Sequence, residues 1–141
     1  MLLIEDNINV ADEDRLLRRI PNNPNMLKFD QSTQTVRPSS AAFKDRTDGR
    51  ELSVTLEKQL LEDGNVHEYA IRNFEGFGLA AIGVKFVRSL KPAQFVIADP
   101  TPDDPYHALI VGDKKNRTFK ELSKASTLLI KPALEKPTDI S

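Results

Sequence analysis

Apolar and polar positions alternate over short stretches of this chain, and most of these stretches end at proline, glycine or clustered polar residues. Arg15-Leu16-Leu17-Arg18-Arg19-Ile20 predicts a short strand stopped by Pro21, because proline cannot donate to a ladder and Asn-Asn-Pro-Asn after it is turn chemistry. A helical turn is the competing reading. Met26 to Phe29 predicts a second short strand, followed by a polar stretch from Asp30 to Ser40 that Pro38 breaks. Asp48-Gly49 signals a hairpin turn, and Glu51 to Leu56 alternates with the period of a half-buried strand. Residues 57–63 then read as a short helix ending at Gly64.

The clearest helical spacing joins Leu79, Ile82, Phe86 and Leu90, with Lys85, Arg88 and Ser89 largely on the other side. It predicts a helix over 79–90 that packs one apolar face on a sheet and ends before Pro92. Gln94 to Ala98 is a nearly continuous apolar run, as expected of an interior strand. Asp99 to Pro105 is a stiff acidic loop with three prolines, and Tyr106 to Val111 is another strand closed by Gly112. Thr118 and Glu121 carry a capping-box pattern, so a short helix is expected over about 119–125, before a last strand at 127–130. These elements make a single α+β domain over 15–131. Its sheet should be mixed or mainly antiparallel, covered by the helix at 79–90, with the helix at 119–125 along an edge. Residues 1–14 are expected as a flexible N-terminal segment and 132–141 as a surface tail.

Composition adds mostly exclusions. Across 141 residues there is no cysteine, which removes disulfides, thiolate zinc ligation and cysteine nucleophiles together. Twenty basic against twenty-one acidic residues leave a net charge of -1, which argues against nucleic-acid binding through a strong positive field. The start lacks the basic flank and long apolar region of a signal peptide, and no stretch approaches a membrane span, so the expectation is a soluble cytoplasmic chain with no membrane partner.

Two segments concentrate chemistry. Asp99, Asp103, Asp104, Tyr106 and His107 lie within nine residues. His107 beside Asp104 could work as a general base, and Asp99, Asp103 and His107 are weak metal-ligand candidates in a chain where no metal is expected. The bland alternative is a solvated turn between two core strands. Arg18 and Arg19 with Arg37, Ser39 and Ser40 would make an anion site if the fold brings them together, since guanidinium forks and hydroxyls suit phosphate. Against this, adjacent arginines on a strand point to opposite faces. Lys114, Lys115, Arg117 and Lys120 cluster near the second helix and read best as a solvated loop. Gly76, Gly78 and Gly83 do not have dinucleotide-fingerprint spacing, and His67 has no companion at metal spacing.

The strings Leu17 to Pro21, Arg37 to Phe43, Leu52 to Val54 and Asp99 through Gly112 together resemble a family of small bacterial proteins to which no activity is attached. That resemblance implies a bacterial cytoplasmic origin. There is also a likeness of order to ADP-ribosyltransferase-like enzymes, which would place Arg19 and Ser40 beside a dinucleotide and make Glu57 the first candidate for the acidic catalytic group. The leading functional expectation is a non-catalytic accessory protein with a protein partner. Its rival is a small enzyme or binding protein for a phosphate-bearing ligand, such as a nucleotide, in a pocket with Arg19, Arg37, Ser39 and Ser40 on one wall and Asp104 and His107 on the other. The sequence leaves the cofactor and the oligomeric state open.

Overall fold

The computed structural model describes residues 6–44 and 50–133. Its centre is an antiparallel sheet of six strands in the order β6-β7-β4-β1-β5-β8. The strands are β1 (Arg15–Ile20), β4 (Glu51–Leu56), β5 (Gly78–Gly83), β6 (Phe95–Ala98), β7 (His107–Val111) and β8 (Thr127–Ile130). A separate hairpin pairs β2 (Leu27–Asp30) with β3 (Thr35–Pro38). The helices are α1 (Glu57–Glu62), α2 (Val84–Arg88) and α3 (Asn116–Ala125). The fold class is therefore α+β, with every ladder antiparallel.

Alternation along the strands builds a core on each face of the sheet. Leu16, Ile20, Leu52, Val54, Ala80, Ile82, Val96 and Ile110 enter the larger cluster, where Phe119 and Leu122 of α3 and Phe43 cover them. Leu17, Leu79 and Ala81 project the other way, against Leu60 of α1, Ala70 and Tyr106. Burying Phe119 and Leu122 stabilises the docked α3 by roughly 1.5–3 kcal/mol per side chain. That helix, rather than one at the sheet's edge, is the main cover of the larger core.

The expected helix over 79–90 is instead strand β5 followed by the short helix α2. Residues 78–82 are all buried, because β5 lies between β1 and β8 and has a core on both sides. A strand apolar on both faces mimics helical spacing at positions 79, 82 and 86. The two cores reveal the true period of two: Leu79 and Ala81 enter one, Ala80 and Ile82 the other. Gly78 is needed here, since a Cβ would stand 2.4 Å from the Ile130 carbonyl oxygen of β8.

Several ends differ from expectation in instructive ways. Helix α3 starts one turn early, and Thr118 serves as its third residue: the hydroxyl accepts the Lys115 N–H at 3.0 Å. Gly64 does close α1, at φ +87°. Residues 6–14, expected to be flexible, are tied down. Asn7 N–H donates to Val96 O at 2.8 Å, Asp6 accepts the Val96 N–H, and Arg88 binds Asp6 and Asp12. Val10 is 2% exposed, so this acidic segment shields the free edge of β6. The Asp48-Gly49 turn lies outside the described residues. Among the described residues, no helix is long and apolar enough to cross a membrane.

Candidate functional site

Three lysines that form no ion pair among the described residues converge where the β2–β3 hairpin meets α3. Lys28 of β2, Arg37 of β3, Ser39 and Ser40 after it, and Lys120, Ser123 and Lys124 of α3 line a cleft of about 280 Å³. Local sequence explains the convergence. Pro38 ends β3, residues 40–43 turn into a 3-10 helix, and buried Ala42 and Phe43 pin that turn beneath α3. Lys120 and Lys124 stand four apart on α3 and so share one helix face.

The floor of this cleft is hydrogen-bonded into place. Arg37 Nε donates to Asp30 at 3.2 Å and Arg37 Nη1 to Ser123 Oγ at 2.5 Å. The Ser123 hydroxyl donates onward to Pro38 O at 2.7 Å, and Ser39 donates to Asn25 O at 2.7 Å. Two of the five guanidinium donors of Arg37 are thus engaged, and its side chain is only 13% exposed. Lys28, Lys120 and Lys124 form no ion pair among the described residues, where acids neutralise Arg15, Arg19 and Arg88. Fixed donors with mobile cations around them make an anion site.

Arg19 lines a different cleft. As alternation requires, Arg18 and Arg19 leave β1 on opposite faces: Arg18 donates to Ala42 O and Ser53 O, while Arg19 donates to Ala70 O and to Asp104 at 3.2 Å. The Arg19 guanidinium also stacks 4.2 Å from the Phe74 ring centroid. With Ala70, Arg72, Asn73, Phe74, Asp103 and Asp104 it lines a hollow of about 210 Å³. Burial pulls the Arg19 pKa below the usual arginine value, against the pull of Asp104. Arg72 stacks on Tyr69 and donates to Asp103 O, so both guanidiniums chiefly hold the segment at 67–74 and the acidic loop against the sheet.

Glu57 opens α1 with its side chain 10% exposed and accepts two hydrogen bonds from Arg15 and one from His67 at 2.7 Å. His67, which no sequence spacing singled out, is thus the third member of a polar knot joining β1, α1 and the turn at 67–71. The paired Arg15 guanidinium, opposed by burial and helped by His67, holds the Glu57 carboxyl below its ordinary value of 4.5. A depressed acid contributes stability that is complete above its unfolded value and is lost as pH falls through the folded one. Glu57→Gln should therefore cost about 1–3 kcal/mol at pH 7. In urea titrations the gap between variant and wild type should close as the pH is taken below 4.5. A pH-independent gap would contradict the assigned pair.

The carboxylates of the acidic loop diverge. Asp104 faces Arg19 and accepts the Tyr106 N–H, Asp103 offers its carbonyl to Arg72, and Asp99 faces His107. Among the described residues, no group of His, Asp and Glu is arranged to hold a metal ion. His107 Nδ1 contacts the Asp99 carbonyl oxygen at 3.0 Å and its carboxylate at 3.2 Å, and Nε2 lies 3.2 Å from Ser53 Oγ. The basic run after Gly112 also divides. Lys114 donates to the Arg50, Ile110 and Gly112 carbonyls, Lys115 pairs with Asp113, Arg117 pairs with Glu121, and Lys120 alone reaches the cleft.

Of the residues expected at an anion site, Arg37, Ser39 and Ser40 come together, whereas Arg19, Asp104 and His107 stand elsewhere. Lys28, Ser123 and Lys124 were not foreseen there. The i, i+4 pair Lys120 and Lys124 was the signal available for that side of the site. Comparisons with family models, curated proteins and solved structures return no match for this chain.

Proposed function

We propose that this chain is a binding protein for a phosphate-bearing ligand, held in the cleft between the β2–β3 hairpin and α3. The observation that carries the reading is the convergence of Arg37, three lysines and three serines on one cleft in a chain whose net charge is -1. Phosphate offers several acceptor oxygens and up to two negative charges, matching a fixed guanidinium and hydroxyls at the floor and mobile ammonium groups at the rim. The Ser40 hydroxyl has no hydrogen bond among the described residues and can donate to such an oxygen. Binding alone accounts for these groups, and the protein serves as an accessory that senses or delivers its ligand. A bacterial cytoplasm, where cysteine-free folds lose nothing to reduction, belongs to the same reading.

Thermal melts at constant ionic strength test it. Inorganic phosphate and pyrophosphate should raise the melting temperature in a concentration-dependent way, while chloride at equal ionic strength should not, because a ligand that binds only the native state adds RT ln(1 + [L]/Kd) to its stability. Equal responses to all three salts would refute the reading.

A further inference from the structure

We propose that Ser53, His107 and Asp99 form a nucleophilic relay for acyl transfer, giving the protein a carboxylic-ester hydrolase activity on the opposite face of the sheet from the anion cleft. The inference stands independently of the phosphate site. Its foundation is the tautomer of His107. Both atoms near Nδ1, the Asp99 carbonyl oxygen at 3.0 Å and its carboxylate at 3.2 Å, are acceptors, so Nδ1 carries the proton. The lone pair of neutral imidazole is then on Nε2, which lies 3.2 Å from the Ser53 hydroxyl. A general base must stand in that relation to a serine nucleophile, with an acid behind it to hold the ring.

Sheet register places the three groups and what surrounds them. Thr55 pairs with Leu17, whose side chain enters the smaller core, so Ser53, two residues earlier on β4, faces that same side. Across the sheet, Ser53 pairs with Leu109, and Leu109 with Ile97. Leu109 and Ile97 are only partly buried. They form an apolar shelf beside the hydroxyl, suited to the acyl chain of a short ester. The His107 side chain is 18% exposed and Asp99 52%, so solvent reaches the relay while the imidazole stays packed.

The reaction balances without a redox partner. Ser53 Oγ forms a bond to the ester carbonyl carbon and its proton moves to His107 Nε2. The bond from that carbon to the alcohol oxygen then breaks, and the alcohol leaves with the Nε2 proton. Water attacks the acyl-serine, gives a proton to Nε2 and releases the carboxylic acid as the proton returns to Ser53. Asp99 is a positioning residue: it holds the imidazole and steadies the transient imidazolium.

The test uses the full chain, a fluorophosphonate probe and p-nitrophenyl acetate and butyrate. The expected result is a single probe adduct mapped by mass spectrometry to Ser53, with ester hydrolysis that falls at least about a hundredfold in Ser53→Ala and in His107→Gln. Asp99→Asn should lower kcat with little change in KM, because the carboxylate orients the imidazole without touching the ester. No adduct on wild-type protein, an adduct at another residue, or undiminished hydrolysis by Ser53→Ala would overturn the proposal. An unchanged kcat in Asp99→Asn would remove Asp99 from the relay. Adduct mapping on the wild type decides the matter even where a variant does not fold.

Discussion

Replacing Phe43 by alanine is expected to remove about 3–5 kcal/mol of folding stability, the usual cost of emptying an aromatic site in a packed core. Phe43 has no solvent exposure and closes the 3-10 turn Ser40–Phe43 against the cluster that includes Phe119 and Leu122. Globular domains of this kind are held by only about 5–15 kcal/mol in total, so the variant should sit close to the edge of folding. Urea denaturation monitored by circular dichroism would show the midpoint falling at nearly constant slope. Phe43→Leu, which retains most of the volume, should lose much less. The consequence reaches the cleft, because the same turn carries Ser39 and Ser40. Phosphate should therefore recover part of the lost stability in Phe43→Ala.

Reversing charge at Lys120 and Lys124 together is expected to abolish that response to phosphate and pyrophosphate. Each charge-assisted hydrogen bond contributes about 1.5–3 kcal/mol, so losing two and adding repulsion should weaken binding by at least about a hundredfold. Both side chains are exposed on α3, and neither forms an ion pair among the described residues, so stability without ligand should hardly change. Isothermal titration with pyrophosphate separates the two effects. Retained affinity in the double variant would move the site away from α3.

The strands at 15–20, 51–56, 95–98, 107–111 and 127–130 were legible because each is a short run with the alternation or continuous apolarity of its place in the sheet. Strand β5 was not. Its two-sided burial erases the polar alternation that distinguishes a strand from a helix, and only the partners β1 and β8 impose the extended form. Strand β3 is only four residues long and ends in Pro38, so it is recognised only through its pairing with β2. Arg37, Ser39 and Ser40 could be named as anion-site candidates from residue type alone. Lys28, however, joins them only through the β2–β3 register, which pairs it with Arg37, and Lys124 joins them across a long chain separation that neither spacing nor composition records. The same limit applies to Ser53, which is unremarkable on its strand until the β4–β7 register sets it beside His107.

The anion cleft is tested most directly by mapping amide and side-chain shifts in a nitrogen-15 labelled sample titrated with pyrophosphate at constant ionic strength. The expected result is a saturable set of changes confined to Lys28, Arg37 to Ser40 and Lys120 to Lys124, with the Arg19 hollow on the other face of the sheet unmoved. Saturable changes at Arg19, Arg72 and Phe74 instead, or none that saturate anywhere, would contradict the assignment of this cleft as the ligand site.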